Sequence, residues 1–250
     1  MQSLSTLRTV LLLALGLSLV SNASAADKNE LPPEIKKEYT HVPLKPDPRI
    51  KKLFPLGKAV EFFNGKDLRG WKVTDFAGGG EIEVDKKFKP KKGKQTAVLM
   101  IPMGEFLTGV NYTNPIPRTN YEVEMEVMKV DGNDFFCGLT FPVGETHASL
   151  ILGGWGGAVV GISSLDGSDA SENDTTDYIR FDTSIWYKVK LRVTPKKLEM
   201  WLDKDKLIDQ ELEGRRVHMR FGEIELSAPF GLATFQTTTA YRSVRVTRIK

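Results

Sequence analysis

Between positions 121 and 203 the chain repeatedly alternates apolar and charged residues. Tyr121, Val123, Met125 and Val127 are interleaved with Glu122, Glu124 and Glu126. Tyr187, Val189, Leu191 and Val193 are interleaved with Lys188, Lys190 and Arg192, and Leu198, Met200 and Leu202 with Glu199, Trp201 and Asp203. A β-strand points successive side chains to opposite faces, so a period of two sends one set inward and the other into water. Further strand-like runs lie at 60–63, 97–101, 135–141, 148–152, 158–162, 207–212, 231–235 and 243–249. Turn-forming stretches separate them: Asn64-Gly65, Asp131-Gly132-Asn133, Asp166-Gly167 and Asp203-Lys204-Asp205. The domain shows no amphipathic helix and no fixed-period repeat, which argues against a propeller. About a dozen short strands in roughly 190 residues predict an all-β fold, a two-sheet antiparallel sandwich.

The 250 residues are 40% hydrophobic and include 13 Phe, enough for a sizeable core. One Cys excludes an intramolecular disulfide and a Cys-ligated metal centre, and three His leave little for an all-His site. Of 35 basic and 32 acidic residues, the first 58 positions hold nine and five, leaving 26 against 27 in the remainder. A nucleic-acid partner needs basic charge gathered on the fold itself, and this near-neutral balance excludes such an excess.

The N-terminus reads as a signal peptide over residues 1–25. Arg8 precedes an apolar run from Val10 to Val20, and Ala23 and Ala25 stand at the small-x-small cleavage positions. Cleavage is expected between Ala25 and Ala26, with a periplasmic or extracellular location. No apolar stretch of membrane-spanning length follows, so no transmembrane segment is expected after cleavage. Residues 26–58 interleave Pro32, Pro33, Pro43, Pro46, Pro48 and Pro55 with lysines and predict an extended arm, with one short helical turn near 50–54. The domain proper is expected over 59–250.

Several residues stand out as carriers of chemistry. In Gly153-Gly154-Trp155-Gly156-Gly157, four glycines strip side chains from around one indole. An indole stacks on the C–H face of a sugar and donates through its N–H, although a tight turn with a packing Trp explains the pattern equally. Asp166, Asp169, Glu172, Asn173, Asp174 and Asp177 form the densest acidic stretch. It reads as a solvated loop, a hard-cation site or the lining of a polyhydroxylated ligand, and its spacing is not that of an EF-hand. His147 stands in a strand-like region and is either a partly buried His or a general base that needs no pKa tuning. Cys137, in an apolar run, reads as a small core residue. In 64–71, Asn-Gly and Asp67 carry turn chemistry and Trp71 starts the next strand.

The stretch Phe63-Asn64-Gly65-Lys66-Asp67-Leu68-Arg69-Gly70-Trp71 resembles the opening signature of the DUF1080 family, the 3-keto-disaccharide hydrolase domain. The likeness continues through 153–157, the loop 166–173, Ile185-Trp186-Tyr187 and the closing run from Arg242, and so spans nearly all of 59–250. The resemblance implies a concanavalin A-like jelly roll acting on 3-keto-glycosides by elimination across C1–C2 and hydration of the glycal. Under it, His147 is the expected base. Asp134, Asp169 or Glu172 supplies the acid or a metal ligand, and Trp155 is the stacking platform. Asp166 and Asn173 are further substrate contacts, and a divalent metal polarising the ketone is compatible but not demanded by spacing. The rival expectation is a non-catalytic lectin-like module on the same fold, because fold alone does not decide function. Convergence of His147, Trp155 and the loop acids on one pocket separates the two.

Overall fold

The computed structural model describes residues 47–250. The stretch read as a signal peptide and most of the stretch read as an arm lie outside the described residues. A short helix, α1 (Ile50–Leu53), precedes fifteen strands. The first eight are β1 (Ala59–Glu61), β2 (Trp71–Val73), β3 (Glu83–Phe88), β4 (Thr96–Ile101), β5 (Leu107–Tyr112), β6 (Tyr121–Gly132), β7 (Cys137–Val143) and β8 (Thr146–Gly153). The others are β9 (Val159–Ser163), β10 (Asp177–Tyr178), β11 (Trp186–Val193), β12 (Lys197–Leu202), β13 (Asp205–Glu211), β14 (Gly231–Phe235) and β15 (Thr237–Arg248).

They form two antiparallel sheets, as the alternation predicts. The eight-stranded sheet runs β13-β12-β11-β6-β15-β4-β3, with β1 also on β15; the seven-stranded sheet runs β10-β9-β8-β7-β14-β5-β2. In β6, Tyr121, Val123, Met125 and Val127 all point into the core, while Glu122, Glu124 and Glu126 lie on the opposite face. The facing set from the other sheet includes Leu139, Phe141, Leu150, Leu152, Val160, Ile162 and Leu232. The charged face of the first sheet is laced by ion pairs, Glu122 with Lys190 at 3.0 Å and with Arg192 at 2.7 Å. Such partly exposed pairs each contribute little, about 0–1 kcal/mol, so apolar burial dominates the stability.

The signature at 64–71 is a turn. Asn64 Oδ1 accepts from the Lys66 and Asp67 amides at 2.8 and 3.1 Å, and Asn64 Nδ2 donates to Asp67 at 2.7 Å. This delivers Trp71 into the core, where its Nε1 donates to the Phe62 carbonyl at 2.7 Å. A buried indole N–H needs such a partner. Gly70 has a φ of 86°, and a Cβ there would sit 3.0 Å from the Tyr112 ring.

The helical turn expected near 50–54 forms, and it does more than mark the end of an arm. Phe54, just after α1, is 1% exposed and packs edge-on against Phe62 at 6.0 Å. The folded unit therefore takes in the last residues of the stretch read as arm, because Phe54 completes the aromatic cluster of Phe62, Trp71, Tyr112 and Phe230. Phe54→Ala is expected to cost about 3–5 kcal/mol in a denaturant titration, the usual range for a buried Phe. A change under about 1 kcal/mol would show that the segment only lies on the surface.

Candidate functional site

Across the seven-stranded sheet, on the face turned away from the core, one row reads Gly109–Ala233–Gly138–Ile151–Gly161. This row is nearly bare of side chains, so other parts of the chain lie directly on the backbone. A Cβ at Gly138 would meet the Phe135 ring at 2.9 Å, and one at Gly161 would meet the Ala170 carbonyl at 2.5 Å. Phe135 and the loop after β9 thus sit where any side chain would displace them. Ile151, Val159 and Ala170 form a small apolar cluster on this face with Phe135, separate from the main core.

The same face holds a cleft of about 310 Å³. Its apolar walls are Leu107, Phe135, Ile151, Trp155, Phe221, Ile224 and Phe235; its polar groups are Asp134, Ser149, Ser163, Arg220 and Glu223. Phe135 and Phe235 lie 5.9 Å apart, centroid to centroid. At the floor, the Thr140 hydroxyl bridges Ser149 at 2.9 Å and Ser227 at 3.0 Å. Serine and threonine can each donate and accept, so this network satisfies itself internally.

Trp155 stands at the rim with its backbone in the left-handed region, φ 50° and ψ 54°. A non-glycine residue is strained there and needs support from outside. Asp134 gives it: one carboxylate oxygen accepts the Phe135 amide at 2.7 Å and the other accepts the Gly156 amide at 3.1 Å. One carboxylate therefore orients both aromatic walls. The Arg220 guanidinium lies 5.8 Å from the centroid of the Trp155 ring and pairs with Asp169 at 2.7 Å. Asp169 also accepts from the Ser163 hydroxyl and from the Ala170 amide at 2.8 Å. Glu223 opens a short 3-10 turn (Glu223–Ser227), is exposed, and has no partner among the described residues.

The residues singled out from sequence separate into two groups. Trp155 and Asp134 line the cleft, and Asp169 reaches it through Arg220. Asp166 instead pairs with Arg215 and accepts the Arg216 amide at 2.6 Å. Asn173 is a strut: its Nδ2 donates to the Ile162 and Asp169 carbonyls, each at 2.7 Å, and its Oδ1 accepts from Thr175. Glu172 is exposed and outside the cleft. Among the described residues no three His, Cys, Asp or Glu gather as a metal-ligand set. The loop acids Asp166, Asp169 and Asp174 face arginines instead, so this donor set does not fit a hard cation.

His147 is not a lining residue. It sits on β8 opposite Pro142, with its Nε2 3.4 Å from Arg118 Nη1. Burial, and then the charge of Arg118, push its imidazole down to about 4. The convergence of His147 with Trp155 and the acids is therefore not found. Arg220, Phe221, Glu223, Phe135 and Phe235 carry the cleft and escaped the sequence reading. The one available signal was Phe221, an aromatic set between Arg220 and Gly222 in a polar loop, and it is 91% exposed.

The family model of the 3-keto-alpha-glucoside-1,2-lyase-like domain matches residues 58–247. No curated protein matches the chain in sequence. Among solved structures, a Crh5 transglycosylase in complex with NAG aligns at 12% identity with a TM-score of 0.50, covering 79% of this chain and 87% of that one. The carbohydrate-binding module CBM66 from Bacillus subtilis aligns at 15% identity and TM-score 0.45, over 70% and 93%. Domain 4 of AbnA, a GH43 extracellular arabinanase from Geobacillus stearothermophilus, in complex with arabinotriose, aligns at 13% identity and TM-score 0.47, over 76% and 91%. At these identities the transglycosylase likeness is one of fold alone.

The His147 environment has a pH signature. Its folded-state pKa is lowered from 6.5 to about 4, so between those values the unfolded chain holds a proton that the folded one does not. Stability should then rise with pH through that window, and fall as pH drops through it. His147→Gln is expected to flatten the slope between pH 6.5 and 4, and an NMR titration to find the imidazole midpoint near pH 4. A midpoint at or above 6.5 would overturn this reading of the residue.

Proposed function

The chain belongs to the 3-keto-alpha-glucoside-1,2-lyase-like family, and from that premise we propose that it is an exported enzyme cleaving 3-keto-glycosides in the cleft around Trp155. The observation that carries the reading is one cleft joining a sugar-sized aromatic platform to an unpaired carboxylate, Glu223, and a guanidinium, Arg220. The signal-peptide features at Arg8, 10–20, Ala23 and Ala25 support export.

The C3 ketone makes the C2 proton acidic. Glu223 takes that proton, and the C–H electron pair becomes an enolate whose oxygen faces Arg220. The enolate collapses to the C1=C2 bond, and the C1–O bond breaks with its electrons on the aglycone oxygen, which is protonated from solvent at the open rim. Water then adds at C1 and a proton returns to C2, so the net change is hydrolysis. Arg220 can stabilise the enolate because Asp169 holds the guanidinium beside the Trp155 face. Asp134, both oxygens engaged, positions Trp155 and Phe135.

The engagement of Asp134 and Asp169 also supports a second reading, a binding module, because it leaves Glu223 as the one unpaired carboxylate lining the cleft among the described residues. Turnover separates the two. On a 3-keto-glucoside, Glu223→Gln is expected to lower kcat by about 10²–10⁴, as loss of a general base does. Trp155→Ala is expected to cost about 1 kcal/mol, roughly fivefold and mainly in KM. Near wild-type turnover by Glu223→Gln, with loss in His147→Ala, would move the base to His147. Sugar binding with no turnover by the wild type would favour the module.

A further inference from the structure

Three clefts meet at the Gly154–Gly157 turn. The first is the Trp155 cleft; a second, of about 690 Å³, shares Asp134 with it. A third, of about 480 Å³, shares Asn133 and Gly156 with the second. The three clefts thus neighbour one another through Asp134, Asn133 and Gly156, with Phe221 lining the first and Tyr178 the third. Nothing in the proposed reaction uses the third.

That cleft contains an anomaly. Lys129 lines the third cleft and is 6% exposed. Lysine is almost never buried to this degree without a paired acid. Here no carboxylate and no hydrogen-bond acceptor reaches the Nζ among the described residues. The residue lies on the core-facing parity of β6, two beyond Val127, and its backbone carbonyl accepts from Ser184 at 2.8 Å. A lysine so placed can bury its aliphatic stem and keep its ammonium at the cleft that it lines. The other charges lining the cleft, Arg180 and Asp182, pair with each other at 3.1 Å. The charge left uncompensated is that of Lys129, and Asn133 and Tyr178, the latter 68% exposed, line the same cleft.

We propose that Lys129 anchors a second subsite that takes an acidic substituent, a carboxylate or a sulfate ester, on the sugar adjoining the ring held at Trp155. An oxyanion supplies the acceptor that the lysine lacks. Tyr178 offers a ring face for the sugar carrying the substituent. The substrate class is then an acidic disaccharide or a glycoside with an acidic aglycone. This rests on the reading that the Trp155 cleft takes a sugar.

The test uses isothermal titration of the mature protein with three disaccharides: glucose–glucose, glucose–glucuronic acid, and the neutral disaccharide bearing one sulfate ester. The expected result is binding about tenfold tighter for one or both acidic ligands than for the neutral one, with the advantage shrinking as salt rises. Lys129→Met should remove the advantage and leave neutral binding intact, and Lys129→Arg, which keeps the charge, should retain it. The relative size of the carboxylate and sulfate effects identifies the substituent. Equal binding of all three by the wild type, an advantage that survives Lys129→Met, or no binding of any of them overturns the proposal. If the neutral disaccharide alone fails to bind and the acidic ones still bind through Lys129, the Trp155 reading fails, and with it the claim of an adjoining ring, while Lys129 stands as an oxyanion site.

Discussion

The Phe135 ring lies against the backbone of Gly138, closer than any side chain at that position would permit. Everything on this face of the sheet depends on that approach. It lays an aromatic floor directly on β7. It brings the Asp134 carboxylate level with the Gly156 amide, which in turn holds Trp155 upright in a left-handed conformation. The same device recurs at Gly161, where the loop after β9 rests on bare backbone and places Asp169 within reach of Arg220. A row with few side chains is thus what lets distant segments converge on one shallow surface, as a site for a flat, polyhydroxylated ring requires.

The acidic loop shows how charge is used here. Its carboxylates are spent on stitching the loop to the 215–220 segment, through Asp166–Arg215, Asp174–Arg215 and Asp169–Arg220. Phe221 and Glu223 follow directly on that segment and line the cleft. Asn173 ties the loop down with bonds to three backbone carbonyls, those of Ile162, Ser168 and Asp169, and to Thr175. The function of these residues is indirect: Asp169 holds Arg220 in place, and Asp166 and Asp174 hold Arg215.

The sandwich was legible because its core strands alternate strictly. β6, β11 and β12 match their sequence reading to within a residue at the start, since each has one face in water and one in the core. β3 and β5 were not legible. β3, Glu83–Phe88, is an edge strand whose residues are all exposed or half-buried, so no buried face imposes a pattern. β5, Leu107–Tyr112, is buried on both faces over most of its length and contains Gly109, so it shows neither alternation nor strand propensity. Within the site, Trp155 announced itself by its flanking glycines. Arg220 and Glu223 did not, because the contact that gives them meaning joins segments that only the fold brings together.

The central claim is that a sugar ring sits on the Trp155–Phe135 floor between Glu223 and Arg220. A crystal structure of the protein soaked with a 3-keto-glucoside bearing a non-leaving aglycone would test it most directly. The account predicts density stacked on the Trp155 indole, with C2 within about 3–3.5 Å of a Glu223 oxygen, the separation a reactive geometry needs, and the C3 oxygen facing Arg220. Density instead beside His147 and Arg118, with the Trp155 cleft empty, would contradict it.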